Sequence, residues 1–284
     1  APGQSVFTSS GTFIVPRGVE ELQVFCVGGG GAGSYAGSCY THSDHVDKVT
    51  DYGNGGGGGG GFTTTGRLSV TPGQSIAVNI GAGGTLYDVP MLDNSPDYGK
   101  TSVMYSAGGG VTKAGSISAN GAKSKITLTH PIFGADGGSG GGVGSGYKFS
   151  FYETYDVVPG EGGNDGGNGG GYLKSGERID DAAGRGQGTT TRAFGEENGT
   201  LYAGGGGGGG NDGYAGGNGG GRGAYGTQRG ESGHAGTGGG GGGSLQGAGR
   251  SIETFYWANY KKQTYDKWTT FDYAGYGGSG AAII

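Results

Sequence analysis

The first residues with a recognisable chemical spacing lie at 28–33, where the chain reads GGGGAG and satisfies the G-x-G-x-x-G pattern of dinucleotide-binding proteins. This pattern binds a pyrophosphate only when a helix begins directly after it, because the first turn of that helix supplies amide donors and the positive end of the dipole. Residues 35–52 follow instead, and they are rich in Ser, His and Asp with no apolar stripe at helical spacing. We therefore reject a nucleotide-binding site at this position.

Residue types that bind metal ions occur in three places. His and Asp cluster at 42–47, but this composition is more typical of a solvated loop. Asn-Asp-Gly occurs at 164–166 and at 211–213, and neither copy fits the repeat of calcium-binding β-rolls. No nucleophile can be placed with a base and an orienting group from spacing. The sequence therefore predicts no enzymatic activity, no metal and no cofactor.

Aromatic side chains are the residues that best indicate a function. Many of them lie in two insertions between glycine-rich tracts, at 147–158 and 252–274. Tyr and Trp are common in binding surfaces because they give a large contact area and a polar tip at a low entropy cost. The alternative is that these rings cap the ends of a scaffold and pack on one another. The residues predicted to contact a partner are Phe149, Phe151, Tyr152, Tyr155, Tyr256, Trp257, Tyr260, Tyr265 and Trp268, with Tyr40 and Tyr52 in an earlier insertion.

Glycine-rich tracts separate the insertions, and 80 of the 284 residues are Gly. Unbroken runs occupy 55–61, 204–210 and 238–243. Glycine loses more backbone freedom on folding than any other residue, so ordering such a run is unfavourable unless the backbone does something that a Cβ would prevent. An aromatic content of 11% argues against disorder, and the unbroken runs together with only 7 Pro exclude collagen.

A bundle of polyglycine-II helices is an arrangement that requires unbroken glycine. Such a helix has three residues per turn, rises about 3.1 Å per residue and makes no internal hydrogen bonds, so its amide and carbonyl groups point outward. Without Cβ atoms, neighbouring helices approach closely enough to hydrogen-bond laterally and satisfy those groups. A larger residue would hold the helices apart. We therefore interpret the runs as scaffold rather than as linker.

Charge and hydropathy argue against two classes of partner. The net charge is −5, from 18 Lys and Arg against 23 Asp and Glu, so nucleic-acid binding is not expected. No apolar stretch is long enough to span a bilayer, so membrane insertion is not expected either. Cys26 and Cys39 form one disulfide or remain two free thiols, and the sequence leaves both open.

The segments that predict strands surround the glycine runs. Residues 21–27 (ELQVFCV) are apolar on both faces, which predicts a strand that is covered on both sides. Residues 62–70 and 75–80 flank a Pro-Gly turn signal and predict a hairpin with one buried face. Residues 281–284 (AAII) predict a last strand beside the N-terminal ones. Shorter strands are predicted at 12–15, 101–105 and 125–129.

The predicted fold is a single glycine-rich domain over 1–284 that is all-β plus polyglycine-II, with essentially no α-helix. A small N-terminal β portion leads into a packed bundle of polyglycine-II helices with long inserted loops. The β framework is assigned to 1–30, 62–80 and 281–284. The polyglycine tracts are assigned to 28–34, 53–61, 134–146, 160–171, 204–221, 236–249 and 275–280. The displayed insertions are assigned to 35–52, 85–100, 147–158, 172–202, 222–234 and 252–274.

Five short stretches of the chain carry a resemblance to a known family: TFIVP at 12–16, LQVFCVGGG at 22–30, VTPGQ at 70–74, VNIGAGG at 78–84 and GGSGAAII at 277–284. These stretches resemble the glycine-rich domains of bacteriophage tail-fibre proteins. The chain is also similar to the glycine-rich adhesins at the tips of T-even-type long tail fibres, although its N-terminal part differs from their fibre-attachment domain. In those adhesins, polyglycine-II helices form a sandwich that presents variable loops to the host receptor.

The resemblance and the aromatic insertions together predict a receptor-binding adhesin at a phage tail-fibre tip, located on the extracellular virion tail fibre. The expected partners are a host cell-surface receptor, either an outer-membrane protein or a glycan, and a fibre shaft protein or neighbouring subunits. The alternative is a structural subunit of an extracellular fibre or surface layer, in which the insertions make subunit contacts. That alternative places the chain on the bacterial cell surface.

Overall fold

A computed structural model describes the β framework, most of the glycine tracts and parts of the insertions. The described residues are 3–34, 38–43, 46–51, 55–90, 102–123, 134–142, 192–210, 215–225, 228–244, 255–258, 261–264 and 274–284.

This part of the chain is all-β, as predicted: it contains fourteen strands, one short 3-10 turn at Ala193–Gly195 and no α-helix. It also contains no helix with the length and apolar character needed to cross a membrane. The strands are β1 Val6–Phe7, β2 Gly11–Ile14, β3 Glu21–Val27, β4 Ser38–Ser43, β5 Val46–Asp51, β6 Thr63–Ser69, β7 Ser75–Asn79, β8 Leu86–Pro90, β9 Ser102–Ser106, β10 Thr112–Ala114, β11 Ile117–Ala119, β12 Phe255–Ala258, β13 Lys261–Thr264 and β14 Ala281–Ile283.

Two four-stranded antiparallel sheets form a sandwich. Sheet A has the strand order β1-β14-β3-β6, and sheet B has the order β11-β10-β7-β2. The residues that face inward alternate with exposed ones, most clearly in β7, where Ile76 and Val78 are buried between exposed neighbours. The remaining six strands form three separate hairpins, β4–β5, β8–β9 and β12–β13. Buried between the sheets are Val15, Leu22, Val24, Cys26, Leu68, Val70, Ile76, Val78, Ala114, Ala119, Ala282 and Ile284.

Strand β3 is covered on both faces, which confirms the prediction from its apolar pattern. Val24 and Cys26 face sheet B, whereas Phe25 and Val27 on the opposite face pack against residues 193–203. The closing strand is confirmed as well, because β14 lies between β1 and β3. Two further hydrogen bonds join Ser5 and Ile284, with N···O distances of 2.8 and 3.0 Å.

The hairpin predicted from residues 62–80 is wrong. Strand β6 pairs with β3 in sheet A, and strand β7 pairs with β2 and β10 in sheet B. The Pro-Gly turn does reverse the chain, with Gly73 at a φ of 84°, but the reversal carries the chain from one sheet to the other. Both strands bury one face in the shared core, so their alternating pattern did not distinguish a hairpin from an arch. The predicted strand at 125–129 lies outside the described residues.

Outside the sandwich, glycine-rich segments run side by side and hydrogen-bond laterally. We call these segments rods and identify each by its residue numbers. Neighbouring rods run in both directions: rod 28–34 is antiparallel to rod 55–62, and rod 238–244 is parallel to rod 203–210. The rods are 28–34, 55–62, 81–85, 107–111, 120–123, 134–137, 139–142, 203–210, 215–218, 219–225, 228–237, 238–244 and 274–280.

Rod 28–34 hydrogen-bonds to its neighbours with a period of three residues. Successive amides donate to three different rods, and every third amide returns to the same one, with N···O distances of 2.7–3.0 Å. A period of three is the one that the polyglycine-II interpretation requires. The donors are Gly28, Gly31 and Ser34 toward rod 55–62, Gly29 and Ala32 toward rod 107–111, and Gly30 and Gly33 toward rod 274–280.

Close approach of backbones makes glycine necessary at most interior positions. A Cβ added at Gly30 would overlap the carbonyl of Gly239, and one added at Gly33 would overlap the carbonyl of Gly242. Gly31 differs, because a Cβ there would lie 3.5 Å from its nearest neighbours, which is ordinary contact. The need for glycine is therefore set position by position by the rod that lies opposite.

Rods at the surface need glycine only where they face the lattice. In rod 228–237, glycine recurs at Gly230, Gly233 and Gly236, and the residues between them are exposed up to Ala235. In contrast, every residue of the interior runs 55–61 and 204–210 is buried. The number of glycines in each turn thus follows the number of faces that a rod buries.

We predict that Gly30→Ala lowers the free energy of unfolding by roughly 3 kcal/mol, because the methyl group forces rods apart and breaks lateral hydrogen bonds. Gly31→Ala is the matched control in the same buried rod, and we expect a change within about 1 kcal/mol. Chemical denaturation of both variants measures the difference. Equal losses for the two variants would show that the lattice is not held by close backbone approach.

Cys26 gives a second prediction. Its thiol is free, fully buried and 3.8 Å from the carbonyl oxygen of Ile117, and burial raises its pKa from 9.0 to about 11. In the unfolded chain this thiol ionises near pH 9, whereas in the folded chain it stays protonated up to about pH 11. The free energy of unfolding is therefore undiminished below pH 9 and falls as the pH rises toward 11. The shift of two pKa units corresponds to about 2.7 kcal/mol.

Denaturation of the wild-type chain and of Cys26→Ala at pH 8 and pH 11 tests this pH dependence. The wild type should lose about 2 to 3 kcal/mol more than the variant over this range. Subtracting the loss of the variant from that of the wild type removes the contribution of other titrating groups. One such group is Tyr202, whose pKa is raised mainly by burial and also by the charge of Glu196. Equal losses in the two proteins would contradict the prediction.

Candidate functional site

The rods bring the two ends of several insertions together at one end of the lattice. Rod 28–34 leaves β3 and runs away from the sandwich, and rod 55–62 returns to β6. Since the amide of Ser34 donates to the carbonyl of Gly56 at 2.7 Å, the insertion between these rods starts and finishes at the same place. That place is the end of the lattice farthest from the sandwich.

Other rods reach the same end. The amide of Ser244 donates to Ser34 at 3.0 Å, and the amide of Gly55 donates to Ser244 at 2.8 Å, so these three residues meet. We call this region the insertion end. The register of the lateral hydrogen bonds places the following rod termini there: Ser34, Gly55, Thr85, Ala107, Gly142, Gly210, Ala224, Ser244 and Ala274.

Three insertions contain a two-stranded antiparallel hairpin. The β4–β5 hairpin lies between rods 28–34 and 55–62, the β8–β9 hairpin lies between rods 81–85 and 107–111, and the β12–β13 hairpin follows Ser244. The predicted strand at 101–105 corresponds to β9. Each hairpin is therefore joined through its flanking residues to the same end of the lattice.

Three of the predicted contact residues belong to these hairpins. Tyr40 lies opposite Val49 in the β4–β5 register, and Tyr256 and Trp257 lie opposite Gln263 and Lys262 in the β12–β13 register. Their role in contacting a partner stays a prediction. The other predicted contact residues lie outside the described residues: Phe149, Phe151, Tyr152, Tyr155, Tyr52, Tyr260, Tyr265 and Trp268.

Residues 192–202, the last part of the segment 172–202 that was assigned to an insertion, pack on sheet A. The ring centroid of Phe25 is 5.2 Å from that of Tyr202 and 6.5 Å from that of Phe194. These contacts cover the outer face of β3, which would otherwise expose Phe25 and Val27. This segment therefore belongs to the sandwich end and not to the insertion end.

The segment 222–234, assigned to an insertion, reverses the chain at the insertion end. Tyr225 and Gln228 exchange two backbone hydrogen bonds, at 2.7 and 3.2 Å. The guanidinium of Arg222 lies 4.3 Å above the centroid of the Tyr225 ring. Beyond Glu231 the chain runs back along the lattice as a surface rod. The available signal was the Gly-x-x-Gly spacing after Arg229, which marks a rod.

The described residues hold no group of three or more His, Cys, Asp or Glu that could bind a metal ion. In the cluster at 42–47, the backbone register places His42 opposite Asp47. The arrangement at the insertion end is thus a set of loops joined to a rigid backbone lattice, which suits non-covalent recognition.

A family model described as a glycine-rich domain matches residues 8–284. A comparison with curated proteins gave no match.

Proposed function

The chain belongs to the glycine-rich domain family, and we propose that it is a receptor-binding adhesin at a phage tail-fibre tip. The observation that carries this proposal is the position of the insertions that follow Ser34, Thr85 and Ser244, whose flanking rods meet at one end of the lattice. A surface built from several loops on one rigid support is the usual arrangement for recognising a partner.

The proposed mechanism is non-covalent recognition of a bacterial surface molecule, either an outer-membrane protein or a glycan. The rods on either side of residues 35–54 hold the two ends of that insertion at hydrogen-bonding distance, as Ser34 and Gly56 show. Fixing the loop ends before binding reduces the conformational entropy that association would otherwise remove. Aromatic residues such as Trp257 and Tyr256 then supply contact area.

The sandwich lies at the opposite end of the lattice. In this proposal, the sandwich end faces the fibre shaft protein or neighbouring subunits, and the insertion end faces the host cell. The location that follows is the extracellular tail fibre of a virion, with the bacterial cell surface as the location for a structural subunit.

We predict that replacing residues 245–273 with a four-residue Gly-Ser-Asn-Gly turn abolishes adsorption to bacterial cells while the melting temperature is unchanged. The lattice permits this replacement, because the amide of Gly275 donates to the carbonyl of Gly242 at 2.8 Å and the two rods are already neighbours. Adsorption is measured with the purified chain on a panel of bacterial strains.

The matched control replaces residues 124–133, which contain none of the predicted contact residues. The ends of that segment are also close, since the amide of Lys123 donates to Asp136 at 3.3 Å. We expect this variant to adsorb like the wild type. Normal adsorption without residues 245–273, combined with loss of subunit assembly, would favour the structural subunit instead.

A further inference from the structure

Residues 192–202, which we call the strap, cover an apolar strip on the outer face of sheet A. The strip lies on strands β3 and β14 and consists of Phe25, Val27, Ala281 and Ile283. None of these four residues is more than 3% exposed. The strap therefore separates this strip from solvent.

Apolar contact, and not hydrogen bonding, holds the strap on the sheet. The rings of Phe194 and Tyr202 pack against Phe25. Three backbone hydrogen bonds of 3.1–3.3 Å join residues of the strap to one another, as between Gly199 and Glu196. Among the described residues, no hydrogen bond joins the strap to sheet A or to a rod. The strap differs in this respect from the rods, whose amides donate to their neighbours.

Unfavourable features coincide in this one segment. Phe194 and Ala203 are the two non-glycine residues of the described chain with a positive φ, at 55° and 63°. This backbone conformation is strained for a residue that carries a Cβ. In addition, the buried Nε of Arg192 finds no hydrogen-bond partner among the described residues, which also costs free energy. The closed position of the strap is thus favoured by apolar packing and opposed by these other contributions.

We infer that the strap is a detachable cover, which leaves sheet A as a unit while the sandwich and the lattice stay folded. Detachment breaks no hydrogen bond to the sheet and relieves the backbone strain at Phe194. The hinge is Ala203, whose amide donates to Thr237 at 2.8 Å and so keeps rod 203–210 in place. Segments that open locally in this way are those with few contacts to the rest of the fold.

Detachment changes the surface that the sandwich end presents. Val6 is 59% exposed and lies opposite Ile283 in the β1–β14 register. When the strap leaves, the buried strip becomes continuous with Val6. The strap is therefore a conformational device that controls how much apolar surface is exposed at this end of the molecule.

The test uses the full chain with Ile283→Cys and measures how fast a thiol reagent reacts at that position. Cys26 is the control within the same molecule, because it lies opposite Ala282 in the neighbouring strand and faces the core between the sheets. Peptide mass mapping separates the two thiols. At urea concentrations below the unfolding transition, position 283 should react at least about tenfold faster than Cys26. Its rate should be nearly independent of urea, whereas the rate at Cys26 should rise with urea because that thiol is exposed only by unfolding.

A second substitution tests whether the strap is what protects position 283. Tyr202→Ala removes a ring that packs on Phe25, so it should raise the rate at position 283 by about tenfold or more. Tyr202→Phe keeps the ring and is the matched control, with an expected change of less than about threefold. Val27→Cys, on the same face of sheet A, gives the same measurement if Ile283→Cys does not fold.

Two outcomes would overturn the inference. Equal rates and equal urea dependence at position 283 and Cys26 would mean that the strap opens only when the whole fold does. A rate at position 283 that Tyr202→Ala leaves unchanged would mean that the reagent reaches the strip without movement of the strap. Adsorption to cells is not measured, so either outcome leaves the adhesin proposal as it stands.

Discussion

The lateral hydrogen bond between two glycine backbones is the interaction on which this structure depends. A rod has no hydrogen bonds of its own, so each amide and carbonyl must find a partner on a neighbouring rod. In rod 28–34 the amides do so with a three-residue period. The approach that this requires leaves no room for a Cβ at positions such as Gly30 and Gly33. The high glycine content follows from this requirement and not from flexibility.

The β-sandwich supplies what the lattice lacks. Backbone bonds give little net stabilisation in water, whereas burial of apolar side chains is the dominant favourable term in folding. The apolar core between the two sheets contains Val24, Ile76 and Val78, and Phe25 is buried on the other side of β3. Several rods continue directly from strands, as rod 28–34 does from β3. The sandwich thus anchors the rods, and the rods in turn hold the ends of the insertions.

The parts of the fold that the sequence predicted were those decided by local pattern. The two-sided burial of β3 and the last strand β14 could be read from their apolar residues. The partners of β6 and β7 could not, because one buried face fits either sheet and the choice is made by tertiary packing. The strands β10 and β11 were missed because three residues are too few to show alternation.

The candidate site was predictable in its composition and not in its layout. Aromatic insertions between glycine runs indicated recognition, but which end of the lattice each insertion leaves depends on the register between rods. The surface rod 228–237 was not predicted, because its glycines recur only at every third residue. Glycine at every third residue, as at Gly230 and Gly233, is sufficient for a rod that buries only one face.

The adjacency of the rod termini also bears on how such a protein can change over generations. Because Ser34 and Gly56 are held together by the lattice, the entropy of closing the segment between them grows only with the logarithm of its length, by about 0.6 kcal/mol for each doubling. Insertions and deletions there are therefore nearly neutral for folding. A lineage can exchange a whole insertion for another of different length, by recombination within the flanking glycine codons, without redesigning the fold that carries it.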